Sequence, residues 1–233
     1  MEGMGAVDIF ATKGIEYLIV IGFLIALVFY WRMLGSTEPN PTAKPGARGP
    51  GRAWFAAPRD YLFHPGHAWA AREGDTLFRV GMDDFAQQLV GEPSGLDLPN
   101  PGDVLRQGDL GWTVRVGPRA VRMLSPVDGV VESVNSEVGA SPGVVNDEPY
   151  DSGWLMKVRV PDPAQTQRNL LSADMAKSWL EQAAEGLRAM WTRELGVALP
   201  DGGAPVKGFG RALADDRWDE VAEELLQSAD LPE

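Results

Sequence analysis

Hydrophobic positions follow three different patterns along the chain. The first is a run from Tyr17 to Trp31, YLIVIGFLIALVFYW, fifteen consecutive residues without a charge, bounded by Glu16 and Arg32. A segment that is apolar on every face predicts a membrane helix rather than a surface one. With Ile15, Met33 and Leu34 included, and Glu16 and Arg32 reaching toward the headgroups, residues 15–34 come to the roughly 20 that a bilayer requires. Tyr17, Tyr30 and Trp31 stand at the two ends, where amphipathic rings favour the interface. The flanks are unlike those of a cleaved signal peptide, since Glu2 and Asp8 precede the run and Tyr-Trp-Arg-Met closes it. Residues 1–14 are then an N-terminal tail. Residues 35–60, with Pro39, Pro41, Pro45 and Pro50 among Gly46, Gly49 and Gly51, form a tether that neither helix nor strand can traverse.

From Tyr61 the pattern changes to short apolar runs with period-two alternation, broken every eight to twelve residues by Gly, Pro, Asn or Asp. This predicts a small all-β sandwich or barrel over residues 61–163. The expected strands are Ala68–Arg72, Thr76–Gly81, Leu89–Leu98, Asp103–Leu105, Leu110–Arg115, Val121–Leu124, Gly129–Val134 and Trp154–Val160. One or two helical turns are expected over Asp83–Leu89, with the Asp83 carboxylate as N-cap. Residues 164–233 return to helical spacing, with a stripe over Ser172–Met190 and a second amphipathic helix over Arg217–Leu226. Pro200 to Pro205 is a break between them.

Charge and composition narrow the function. With 33 acidic against 21 basic residues the formal charge is −12, which argues against a nucleic-acid partner because that affinity rests on Lys and Arg neutralising phosphates. The chain contains no cysteine, so disulfides, thiolate nucleophiles and Cys-ligated metals are excluded. Only Lys13 precedes the apolar run, whereas Arg32, Lys44, Arg48, Arg52 and Arg59 follow it. Basic flanks stay in the cytoplasm, so a single-pass inner-membrane protein is expected, N-terminus outside and C-terminal domain in the cytoplasm.

An ordered series of short motifs then carries a resemblance. His67-Ala68-Trp69 is followed by Val80-Gly81-Met82-Asp83-Asp84-Phe85-Ala86, Leu89-Val90-Gly91, Leu98-Pro99, Pro101-Gly102 and Gly108. Ser125-Pro126-Val127-Asp128-Gly129 through Asn135, Pro142 to Val145, Asn146 through Val158 and Asn169-Leu170-Leu171-Ser172 continue it. Over about residues 61–185 the chain resembles the H protein of the glycine cleavage system. The resemblance implies a mainly β fold, a barrel-sandwich hybrid of the lipoyl/biotinyl type. Here that fold would stand between one transmembrane helix and a helical C-terminal extension.

The resemblance also implies a hairpin lysine that carries lipoate, and here the sequence departs from the pattern. Counting back eight positions from Pro126 puts Pro118 at that lysine position, with Arg119 beside it. Neither side chain forms the lipoyl amide. No lysine occurs between Lys44 and Lys157, and Lys157 falls on the last strand. No lipoyl group or other cofactor is therefore expected. Arg115, Arg119 and Arg122 surround Gly117-Pro118 as a cationic tip, which either steers toward a carboxylate-rich partner or only keeps the hairpin solvated.

The remaining candidates point to partners rather than chemistry. His64 and His67 are the only histidines, too few ligands for a zinc site, so no metal is expected. Asp83-Asp84, Asp147-Glu148 and Asp215-Asp216 read as solvated turns, and no phosphate-loop, nucleophile-elbow or zinc-protease motif occurs. An enzyme is not expected. Trp191, Phe209 and Trp218 in the C-terminal segment are candidate partner-binding aromatics, and Trp54 and Phe55 are candidates for a headgroup layer or a partner. The reading that follows is a membrane-anchored, non-lipoylated scaffold or accessory subunit of a larger membrane complex, of the energy-conversion (electron-transfer) kind. Its partners would be the other subunits, with the bilayer contacted through Tyr17 to Trp31. The alternatives are a regulator that imitates the substrate of lipoate-handling enzymes, and a carrier modified at an atypical position.

Overall fold

The computed structural model describes residues 19–27, 30, 54–195, 207–210 and 218–227. The chain divides into two compact units, Met1–Ala47 and Arg48–Glu233. In the first, residues 19–27 form helix α1, whose large side chains, among them Ile19, Phe23 and Ile25, are exposed. Among the described residues no helix is long and apolar enough to cross a membrane. The rest of the expected span 15–34, apart from Tyr30, lies outside the described residues, as does the tether up to residue 53.

The second unit is built on nine strands: β1 (Leu62–His64), β2 (Ala68–Arg72), β3 (Leu77–Met82), β4 (Gly95–Asp97), β5 (Val104–Leu105), β6 (Leu110–Val116), β7 (Arg119–Leu124), β8 (Gly129–Val134) and β9 (Met156–Arg159). Helices α2 (Asp84–Val90), α3 (Ser136–Ala140), α4 (Val144–Asp147), α5 (Pro163–Arg168), α6 (Ala173–Leu195) and α7 (Trp218–Leu225) complete it. Six strands make one antiparallel sheet in the order β1-β2-β3-β9-β8-β5, and β4-β6-β7 make a second. The mainly β architecture and the helical C-terminal part agree with the expected class.

The alternation read from sequence is the alternation of burial. Along β6, Trp112, Val114 and Val116 turn inward, and across the ladder Val121 and Met123 of β7 meet them. Burying such a set on one face is what fixes the register, because a one-residue slip would send it to water.

The expected strand Leu89–Leu98 is the main departure. Leu89 and Val90 end α2, Gly91 turns the chain at φ +81°, and only Gly95–Asp97 pairs as a strand. The amide of Gly91 returns to the carbonyl of Gln87, a helix-terminating bond that a glycine in this conformation permits. The structure also adds β1, α3, α4 and α5 to the expected elements.

All seven residues of α2 are buried. Its polar side chains are satisfied internally: Gln87 and Gln88 donate to Asp84 Oδ1 at 2.6 and 2.8 Å, and Asn146 donates to the Gln87 carbonyl at 2.9 Å. The Asp83-Asp84 pair is thus a buried hydrogen-bonding element, not a solvated turn as expected.

Candidate functional hairpin

The site begins with a two-residue turn. In the β6–β7 ladder Val116 pairs with Arg119, leaving Gly117 and Pro118 as the connection. Gly117 has φ +62°, the conformation a tight hairpin demands at its first central position. Pro118 follows with φ fixed by its ring and without an N–H to pair. Both are exposed, so Pro118 stands at the tip, where the sequence resemblance locates the carrier lysine.

The hairpin is held from both sides. Ser94 donates its amide to the Arg115 carbonyl at 2.8 Å, and its Oγ accepts the Gly117 amide at 3.2 Å. Arg115 Nε donates to Asp97 Oδ2 at 2.6 Å, tying β6 to β4. On the opposite flank α7 packs against β7, the outer strand of this sheet, and Arg122 pairs with Glu223 at 3.1 Å.

This arrangement divides the three arginines expected to form one cationic tip. Arg115 lies opposite Ala120 and Arg122 opposite Thr113, so these two share a face, whereas Arg119 lies opposite Val116 on the other face. Period-two alternation separates residues that are close in sequence. Arg115 and Arg122 each hold a carboxylate, and Arg119 is half-buried.

The aromatic candidates are likewise turned inward. Phe209 and Trp218, expected to face a partner, are 1% and 0% exposed, and Trp54 and Phe55 are 7% and 3% exposed. The chain itself covers them, because burying such rings against its own core removes more apolar surface than leaving them at a rim. The side chain of Trp191 lies outside the described residues, as do Asp215 and Asp216.

The two histidines have separate structural roles. His67, at φ +58°, places Nδ1 2.8 Å from Asp83 Oδ2, and its ring lies between Phe85 at 4.0 Å and Trp179 of α6 at 4.4 Å. Asp83 accepts in addition from the Ala86 amide at 2.8 Å, the N-cap read from the sequence. His64 Nδ1 accepts the Gly66 amide at 3.0 Å. Burial lowers its pKa to about 4, with the neighbouring His67 pushing the same way. Among the described residues no group of three or more His, Asp or Glu could hold a metal ion.

The described strands thus make two antiparallel sheets, the smaller of which carries the β6–β7 hairpin with its two-residue turn. The glycine cleavage H-protein family model matches residues 61–183. The chain belongs to that family. It is 37% identical over 106 residues to the glycine cleavage system H protein of Carboxydothermus hydrogenoformans, covering 46% of this chain and 81% of that one. To the H protein of Xanthobacter autotrophicus it is 35% identical over 105 residues, covering 45% of this chain and 83% of the relative. A crystal structure of the H protein from Mycobacterium marinum aligns with a TM-score of 0.47 at 24% identity, covering 52% of this chain and 97% of that chain.

Proposed function

We propose that this chain is a membrane-anchored, non-lipoylated H-protein-like scaffold, an accessory subunit of a larger membrane complex of the energy-conversion, electron-transfer kind. The observation that carries the reading is the hairpin tip. By its spacing from Pro126, Pro118 falls where the resemblance to H proteins puts the carrier amine, and the hairpin is tied to Asp97, Ser94 and α7 on its flanks. A tip without a lysine has no point of attachment for a swinging arm, so what the domain retains is shape.

The apolar run Tyr17 to Trp31 supports the anchor, and the basic residues after it support a cytoplasmic domain. The electron-transfer class rests on economy: a carrier domain without its carrier group, fixed to a bilayer, has use beside other membrane subunits. A single experiment tests the reading. Membranes are solubilised in mild detergent, and the protein is followed by blue-native electrophoresis and intact mass. The expected result is migration within a larger assembly and a mass without a lipoyl adduct. A free monomer at low salt would overturn the scaffold, in favour of a regulator of lipoate-handling enzymes. A lipoyl adduct mapped to any lysine would overturn the non-carrier reading.

A further inference from the structure

We infer that the face of α2 and its C-terminal end, together with Asp147 of α4, form a docking site for a cation-Gly-Phe sequence, filled in cis by Lys207 to Phe209, and that its occupancy locks the chain entering the domain at Trp54 to Ala57. The inference does not depend on the membrane reading above.

Each residue of the segment has its own reason to be there. Lys207 Nζ lies 3.1 Å from Asp147 Oδ1 at the end of α4. The Gly208 amide donates to the Gln88 carbonyl at 2.7 Å, satisfying one of the acceptors that a helix leaves open at its C-terminal end. Gly208 is favoured by its φ of +76°, and Gly91 by the close approach, since a Cβ on Gly91 would stand 2.8 Å from the Gly208 Cα. Phe209 enters a triangle of rings with Phe55 at 6.5 Å and Phe85 of α2 at 6.1 Å. Gly210 lies under the Trp218 indole, where a Cβ would fall 1.7 Å from a ring carbon. A cation, a left-handed glycine and an aromatic ring are thus each selected by a different contact with the domain, and the second glycine by Trp218 of the same C-terminal segment.

The same helix grips the entering chain. Asp84 Oδ2 accepts the Ala56 amide at 2.7 Å, and Tyr150 donates its hydroxyl to the Ala56 carbonyl at 2.6 Å while accepting the Asp84 amide at 3.0 Å. Phe55 stacks edge-on to Phe85 at 5.0 Å, and Arg188 of α6 lies 3.8 Å over the Trp54 ring. Phe55 therefore packs against both a core ring and Phe209. Removing Phe209 opens one side of its pocket, and by linkage undocking of the 54–57 chain loosens the 207–210 segment by the same coupling free energy. Whatever draws the C-terminal segment from α2 also frees the chain ahead of the domain.

Hydrogen exchange of the full chain in detergent micelles tests this, with residues 68–82 of β2 and β3 as internal reference. Phe209→Ala is expected to accelerate exchange over residues 54–60 about ten-fold while 68–82 keeps its wild-type rate, as local opening differs from global unfolding. Phe55→Ala is expected to do the same over 207–210 and 218–227. Lys207→Glu, a surface change that reverses the contact with Asp147, is expected to give a smaller acceleration over 54–60. Finally, a peptide of residues 203–227 added to the full chain carrying Phe209→Ala is expected to restore protection over 54–60 saturably, and the same peptide carrying Phe209→Ala is not. Wild-type exchange over 54–60 in Phe209→Ala overturns the inference. So does equal acceleration over 68–82 in both Phe209→Ala and Lys207→Glu, or equal restoration by the two peptides.

Discussion

Asp83 offers the sharpest test of how α2 is held, because two separable functions meet in one fully buried carboxylate. Its Oδ1 caps the helix through the Ala86 amide, and its Oδ2 receives His67, itself only 3% exposed. In Asp83→Ala the lost cap costs about 0.5–2 kcal/mol. The His67 ring keeps its place between Phe85 and Trp179 but loses its partner, and a buried polar group left unpaired costs about 1–3 kcal/mol. The sum is about 1.5–5 kcal/mol. At roughly 2–4 °C per kcal/mol for a domain of this size, a Tm drop of about 3–20 °C is expected. Asp83→Asn retains an oxygen for the cap and an amide that can still meet the imidazole, so its loss should be less than half as large. Thermal and urea unfolding followed by tryptophan fluorescence measure both variants. If Asp83→Ala unfolds within about 0.5 kcal/mol of wild type, or the two variants are equally unstable, the carboxylate does not hold α2 in the manner described.

Two further outcomes are expected. With a folded pKa of about 4 against an unfolded value near 6.5, His64 takes up its proton in the unfolded chain first, so stability falls as pH drops from about 6.5 to 4, by about 2–3 kcal/mol. Urea midpoints across that range should flatten in His64→Gln, and an unchanged slope would refute the assignment. A double-mutant cycle on Arg122→Ala and Glu223→Ala should give a coupling of about 0.5–1 kcal/mol that shrinks with added salt, since the pair is only partly buried, and a coupling of zero at low salt would remove it as a tie between α7 and the hairpin.

Much of the β-domain was legible because its information is local. Alternating apolar residues from Leu110 to Arg115 and from Val121 to Leu124 predicted β6 and β7, and the structure extends each only to the turn. The Asp83 cap was readable for the same reason, a side chain bonding to a backbone amide three residues on. Gly117-Pro118, read as the turn of the hairpin, is the connection that the ladder leaves between β6 and β7. The strand expected over Leu89–Leu98 was misread because periodicity does not announce a helix end, and the left-handed Gly91 that stops α2 is visible only in its torsion angle.

What the sequence by itself determined is therefore the alternation, the caps, the turn chemistry and the absence of a lysine from the hairpin. Tertiary structure alone decided where surplus aromatic and charged groups are used. A tryptophan or phenylalanine has the same reason to leave water whether the covering surface belongs to its own chain or to a partner, so composition could not tell that Phe209 meets Phe55 and Phe85, or that Trp218 closes over Gly210. Nor could spacing alone tell that Arg115 and Arg122 find Asp97 and Glu223, because those partners lie 18 and 101 residues away and become neighbours only when the sheet and α7 have assembled.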